Sequence, residues 1–256
     1  MLLDPPAARA PRTVLVLGGT SDIGRAVARA YAVGERRRVV LAGRDPARLA
    51  EEAADLRARC GCDALVATAA FDALDPASHA AFFDSLGETP ETVVCVVGLL
   101  GDQARCEADW REAERVARAN YLGPAAALAE AANRMEARGS GCIVGVGSVA
   151  GDRGRASNYA YGAAKAGLEA FLSGLRARLF RKGVHVATVK PGFVRTRMTA
   201  GMALPGLLTA EPEEVAAAVV RAEREWLGVV YVRPVWRLIM AVVRGLPEPL
   251  FKRTRF

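Results

Sequence analysis

The chain is expected to fold as an α/β protein built on a doubly wound parallel sheet, and three features of the sequence carry that expectation. Short apolar runs alternate with longer segments of helical periodicity from one end to the other, the pattern of parallel strands joined by crossover helices. The run Thr92 to Val97 is apolar without interruption, as a strand covered on both faces must be. The first run, Thr13 to Leu17, opens directly into Gly18-Gly19-Thr20-Ser21-Asp22-Ile23-Gly24 and then an Ala-rich helical pattern to Val33.

Taken in order, each segment has a local reason. Glycines between a strand and a helix let the backbone turn tightly and approach a pyrophosphate, whose charge then meets the amides and dipole of the helix N-terminus. Gly18, Thr20, Ser21, Ile23 and Gly24 are the residues expected to line that site. Arg38 to Gly43 reads as the second strand, and Asp45-Pro46 supplies an N-cap and a first helical residue. The residue ending this strand meets an adenosine ribose in dinucleotide folds, where an acid suits a 2′-hydroxyl and a base a 2′-phosphate. Arg44 stands there, so NADPH is favoured over NADH.

Ala64 to Ala67 is expected as the third strand, with Phe71-Asp72-Ala73-Leu74-Asp75 after it, and Thr92 to Val97 as the fourth. One long helical segment, Gln103 through Arg138, then carries Asn120, whose amide needs a partner if it is to sit mid-helix. Cys142 to Val146 is the fifth strand and ends at Gly147-Ser148-Val149-Ala150-Gly151. Strand ends facing a helix are where open α/β sheets bind ligands, so the Ser148 hydroxyl can hold a substrate carbonyl.

In the helical run Ser157 to Arg181, Tyr161 and Lys165 are four apart and share a face. An ammonium beside a phenol stabilises the phenolate, which is expected to draw the Tyr161 pKa down from about 10 towards the working pH. Val184 to Val189 is the sixth strand, followed by a mobile cover from about Arg197 to Ala210. Pro212 starts a helix reaching Trp226, and Val229 to Val232 makes the seventh strand.

Composition narrows the function classes. No composition shift or linker divides residues 1–232, which read as one domain, with 233–256 as a basic, apolar, amphipathic C-terminal extension. Met1 to Arg12 has no long apolar core and no run approaches a membrane span, so a cytoplasmic protein is expected. Cys95 and Cys142 lie in apolar strand runs, and Cys60-Gly61-Cys62 lacks redox spacing, so the cysteines read as inert. The two histidines, His79 and His185, have no ligand spacing, and no metal is expected. The formal charge is +7, but the last 24 residues hold six bases (Arg233, Arg237, Arg244, Lys252, Arg253, Arg255) against Glu248. The excess lies in that tail, which argues against nucleic-acid binding.

Ser148 with Tyr161-x-x-x-Lys165 thirteen residues on, behind a glycine-rich turn, resembles the short-chain dehydrogenase/reductase family. The resemblance implies a Rossmann-type sheet of seven strands with helices on both faces, a homo-oligomer, and ketone reduction by NADPH or NADH. It implies that Ser148 positions the carbonyl, Tyr161 donates the proton, and Lys165 with Asn120 replenishes it through water. Tyr161 and Lys165 also touch the cofactor on this reading, and Asp72 meets the adenine amino group. The Pro191-Gly192 turn closes on the nicotinamide, with backbone bonds from Val194 and a hydroxyl from Thr196. Leu17, Asp22 and Val96-Val97 depart from the family pattern, and Gly98 alone survives of its Asn-Asn-Ala-Gly turn.

Four stretches, 18–24, 71–75, 98–102 and 194–198, look like the family's subgroup of decaprenylphosphoryl-2-keto-pentose reductases. That subgroup reduces a lipid-linked keto-sugar, supplied by a flavin oxidase, to decaprenylphosphoryl arabinose for cell-wall arabinan. A 3-oxoacyl or steroid-like ketone is the alternative substrate, and a catalytically silent nucleotide-binding scaffold of a membrane complex the alternative class. Val235 to Arg244 is apolar around most of a helix, with Arg237 and Arg244 on one stripe. Such a helix suits an anionic membrane surface at the inner membrane face, or packing on the core or a second subunit.

Overall fold

The computed structural model describes residues 12–61 and 65–254, so Cys62 and the expected strand start at Ala64 lie outside the described residues. Among the described residues the strands are β1 (Thr13–Leu17), β2 (Arg38–Gly43), β3 (Val66–Ala70), β4 (Thr92–Cys95), β5 (Gly141–Val146), β6 (Val184–Lys190), β7 (Phe193–Val194), β8 (Thr209–Ala210) and β9 (Val229–Tyr231). Seven of them form one sheet in the order β3-β2-β1-β4-β5-β6-β9, and every pairing is parallel. β7 and β8 pair separately.

The helices are α1 (Asp22–Arg29), α2 (Pro46–Cys60), α3 (His79–Ser85), α4 (Gln103–Ala108), α5 (Trp110–Ala117), α6 (Gly123–Arg138), α7 (Tyr159–Leu179), α8 (Pro212–Arg224), α9 (Val235–Gly245) and α10 (Glu248–Phe251). Strand residues alternate between two cores. Val14, Val16, Val39 and Leu41 pack with α1, α2 and α8, whereas Leu15, Leu17, Val40 and Ala42 pack with α3, α6 and α7. Both faces being covered is why these strands read as unbroken apolar runs, and each fully buried Val or Leu contributes about 1.5–3 kcal/mol.

The strand order reverses between β1 and β4, which end at Leu17 and Cys95. Such a switch point opens a crevice at the strand ends. β4 stops at Cys95, two residues short of the expected Val97; the last register pair is Leu17 with Cys95, and β1 itself ends as the chain turns at Gly18 (φ +91).

The expected single helix from Gln103 to Arg138 is three. Asp109 ends α4 and caps α5 by accepting the Arg111 N–H. A π turn over Arg118–Leu122 then separates α5 from α6, with Gly123 N–H donating to the Arg118 carbonyl. Pro124, in the first turn of α6, has no N–H with which to continue the ladder, so the chain widens by one residue there. Asn120 sits in that widened turn.

The C-terminal extension folds onto the domain. Trp236, Met240, Val243 and Phe251 form a third core with Val149, against which Phe193, Leu208 and Tyr231 pack.

Candidate active site

The Tyr161 phenol and the Ser148 hydroxyl lie side by side where β5 ends and α7 passes over it. Ser148 is buried and also caps a short turn by accepting from Ala150 N–H at 3.1 Å. Lys165 is buried one helical turn on, its Nζ 5.9 Å from the Tyr161 ring centroid and donating to the Val146 carbonyl at 3.0 Å.

The expected electrostatics are reversed. Burial pushes the Tyr161 phenol up to about 12; the Ser148 hydrogen bond and the nearby Arg155 charge oppose this, while Glu169 adds to it. Lys165 does not bring it down: its ammonium turns to the Val146 carbonyl, and burial lowers its own pKa. Tyr161 is therefore a neutral proton donor at neutral pH.

Asn120 has no exposure, and its amide finds partners in the backbone of the β4 turn and of its own helix. Nδ2 donates to Leu99 O at 2.6 Å and Val116 O at 2.9 Å, and Oδ1 accepts Leu99 N–H at 3.1 Å. A Cβ on Gly98 would lie 3.0 Å from Asn120 Oδ1 and 3.5 Å from Lys165 Nζ, so these three residues converge.

The nucleotide turn closes tightly. Ser21 donates to Gly18 O at 2.8 Å and accepts Gly24 N–H at 3.0 Å, capping α1, and a Cβ on Gly24 would collide with the Gly18 carbonyl. Thr20 and Ile23, both partly buried, complete the turn. This cradle, with the first-turn amides of α1 directed out of its N-terminus, fits a pyrophosphate. Asp22, whose charge opposes that ligand, is held from across the crevice: Arg197 bonds it through N–H at 2.7 Å and Nε at 3.0 Å, and gives Nη2 to Thr20 O at 2.6 Å.

Arg44 is exposed at the end of β2. Asp72 Oδ1 accepts Leu74 N–H at 2.9 Å, an Asx turn that is a structural use of this carboxylate. Pro191 O accepts Val149 N–H at 3.0 Å, joining the Pro-Gly turn to the Ser148 turn, and Gly192 lies so close to the Trp236 ring that a Cβ would collide with it. Val194 belongs to β7, and Thr196 caps the turn Arg197–Thr199. The expected mobile cover thus has both ends tied, Val194 pairing with Ala210 across β7 and β8.

Sequence reasoning missed five contributors: Asp152, Glu169, Lys190, Arg197 and Trp236. A signal existed for two of them. Glu169 continues the Tyr161, Lys165 stripe by one more turn, and Lys190 is a charge ending an apolar buried strand.

A seven-stranded parallel sheet with a nucleotide cradle and a Ser, Tyr and Lys group at its carboxyl edge defines an NAD(P)-dependent oxidoreductase acting on CH–OH or C=O. The short chain dehydrogenase family model matches residues 12–204, and the chain belongs to that family. An uncharacterized oxidoreductase of Streptomyces coelicolor is 42% identical over 95% of this chain and 96% of its own length. Another from Mycobacterium tuberculosis is 41% identical over 94% and 96%. A short-chain dehydrogenase from Sphingobium yanoikuyae, solved in complex with NADPH, superposes with a TM-score of 0.77 at 26% identity, covering 95% of this chain and 96% of that one.

Proposed function

We propose that this oxidoreductase works as a ketone reductase in which Ser148 holds the carbonyl oxygen and Tyr161 protonates it. The observation that carries this reading is the gathering of Tyr161, buried Lys165 with its Nζ 5.9 Å from that ring, and buried Ser148 at the end of β5, with the phenol kept protonated. A bound reduced nicotinamide supplies the hydride. The Tyr161 O–H bond breaks as the new alcohol O–H forms, and Lys165 and Asn120, behind the phenol, serve to restore its proton. Asp72, Gly98, Pro191, Gly192, Val194 and Thr196 line the place for the cofactor on this reading, and a silent scaffold has no use for a phenol set beside a serine hydroxyl and a buried ammonium.

Arg44, exposed at the adenosine end, favours NADPH, and the relative solved with NADPH supports that direction. A charge-assisted hydrogen bond is worth about 1.5–3 kcal/mol. Arg44→Leu is therefore expected to raise the KM for NADPH about tenfold or more with NADH little affected; an equal loss for both would refute the preference.

For the substrate we favour a decaprenylphosphoryl 2-keto-pentose delivered by a flavin oxidase at an anionic membrane surface. Of the four resembling stretches, 18–24, 71–75 and 98–102 follow the carboxyl ends of β1, β3 and β4, and Arg197 of 194–198 bonds Asp22 of the first. On α9, Leu238 and Val242 are 70% and 66% exposed, Arg237 and Arg244 are exposed beside them, and Arg233 binds the carbonyl of Leu207, itself 92% exposed. Following cofactor absorbance with the lipid-linked keto-sugar and with a 3-oxoacyl thioester tests the substrate directly. Leu238→Glu with Val242→Glu is expected to cut partition onto anionic vesicles more than tenfold, since each apolar side chain is worth about 1.5–3 kcal/mol. Identical partition for variant and parent would remove the membrane from the reading.

A further inference from the structure

The Ser148 turn is wrapped around one carboxylate. Glu169 lies on the Tyr161 and Lys165 face of α7, and its Oε1 accepts the Ser148 N–H at 2.9 Å. A Cβ on Gly147 would come within 2.5 Å of that oxygen, and one on Gly151 within 2.9 Å of both oxygens, so the glycines flanking Ser148 make room for Glu169. Oε2 takes Lys190 Nζ at 2.7 Å, and Lys190 is also 2.5 Å from Asp152 Oδ1, which the Tyr231 hydroxyl bonds at 3.3 Å. The side chains of Asp152, Lys190 and Glu169 are 4%, 8% and 12% exposed.

Two carboxyl groups thus share one ammonium under the turn. Removing such groups from water costs several kcal/mol per ion, and an apolar cluster of similar volume would hold a turn without that cost. The arrangement specifies a position for Ser148 that apolar packing alone would not.

We propose that Glu169, locked by Lys190 and Asp152, is a positioning residue for the reduction: it sets the Ser148 hydroxyl against the substrate oxygen and holds a carboxyl group on the Tyr161 face of α7. The proposal rests on the reductase reading. The groups facing Glu169 are Lys190, Asp152 and the Ser148 amide, with Tyr161 and Lys165 on the same helix face, while Arg155 acts on the phenol with the opposite sign.

Two variants separate the two effects. Glu169→Asp keeps the charge but withdraws the acceptor from Ser148. It should lower kcat and kcat/KM together about tenfold, the worth of a hydrogen bond, with cofactor Kd unchanged. Glu169→Gln keeps the shape but removes the charge. The Tyr161 resonance in ζ-¹³C-tyrosine-labelled protein, assigned with Tyr161→Phe, should then titrate at lower pH than in the parent, while in Glu169→Asp it stays near the parent value. Parental kcat/KM in Glu169→Asp together with an unmoved resonance in Glu169→Gln overturns the proposal. The resonance needs no turnover, so it judges Glu169 even if Tyr161→Phe retains activity, the result that would instead sink the reductase reading.

Discussion

Replacing Tyr161 by Phe is expected to slow carbonyl reduction on the order of 10³-fold, within the range for a lost general acid, with cofactor affinity intact. The ring is retained and only the hydroxyl that meets Ser148 is removed. The pH dependence follows from the same burial. A phenol pushed up to about 12 stays protonated through the neutral range. Reduction, which consumes that proton, should therefore lose rate only as the solution becomes strongly alkaline, whereas alcohol oxidation, which needs the phenolate, should gain rate with rising pH. Steady-state rates in both directions across pH check this. An alkaline loss of reduction centred near neutrality would show that another group titrates in the step.

The second large effect is expected at Trp236. Its ring is 5% exposed, meets Phe193 edge-on with centroids 5.7 Å apart, and donates Nε1–H to Leu208 O at 3.1 Å. Trp236→Ala should destabilise the protein by about 3–5 kcal/mol through the cavity and the lost contacts, lowering Tm by several degrees. It should also weaken cofactor binding, because Gly192 loses the surface that sets the Pro191-Gly192 turn. Leu238→Ala, two residues on and exposed, is the control and should change stability by less than about 0.5 kcal/mol. Thermal melts and cofactor titration of the two variants test this, and matching behaviour would mean that α9 is not part of the site's frame.

The sheet and the cradle were legible because local chemistry dictates them. Thr13–Leu17 and the glycines after it can do little else, and the four-residue spacing of Tyr161 and Lys165 fixes a shared face. What failed depended on burial and on distant neighbours. Periodicity from Gln103 to Arg138 is continuous, and only Asp109 and Pro124, weak marks in the sequence, show where the helix breaks. The sign of the Tyr161 shift could not be read from the adjacent Lys165, since desolvation by the folded chain outweighs that neighbour. Asp22 stands in the sequence only as a departure from the family pattern, because the Arg197 that holds it lies far along the chain. Trp236 read as one more apolar residue of an amphipathic tail, because its contact with Gly192 joins two separate segments.

The two ionic arrangements at the crevice differ in their access to the solvent. The Arg197 side chain is 53% exposed where it grips Asp22, while the Lys190 group lies under the Ser148 turn at 8%. Mobile ions screen exposed pairs over about 8 Å at physiological strength and reach buried ones far less. Added salt is therefore expected to weaken the Arg197–Asp22 tie between the segment beyond the Pro-Gly turn and the nucleotide cradle more than the Lys190 group beneath Ser148.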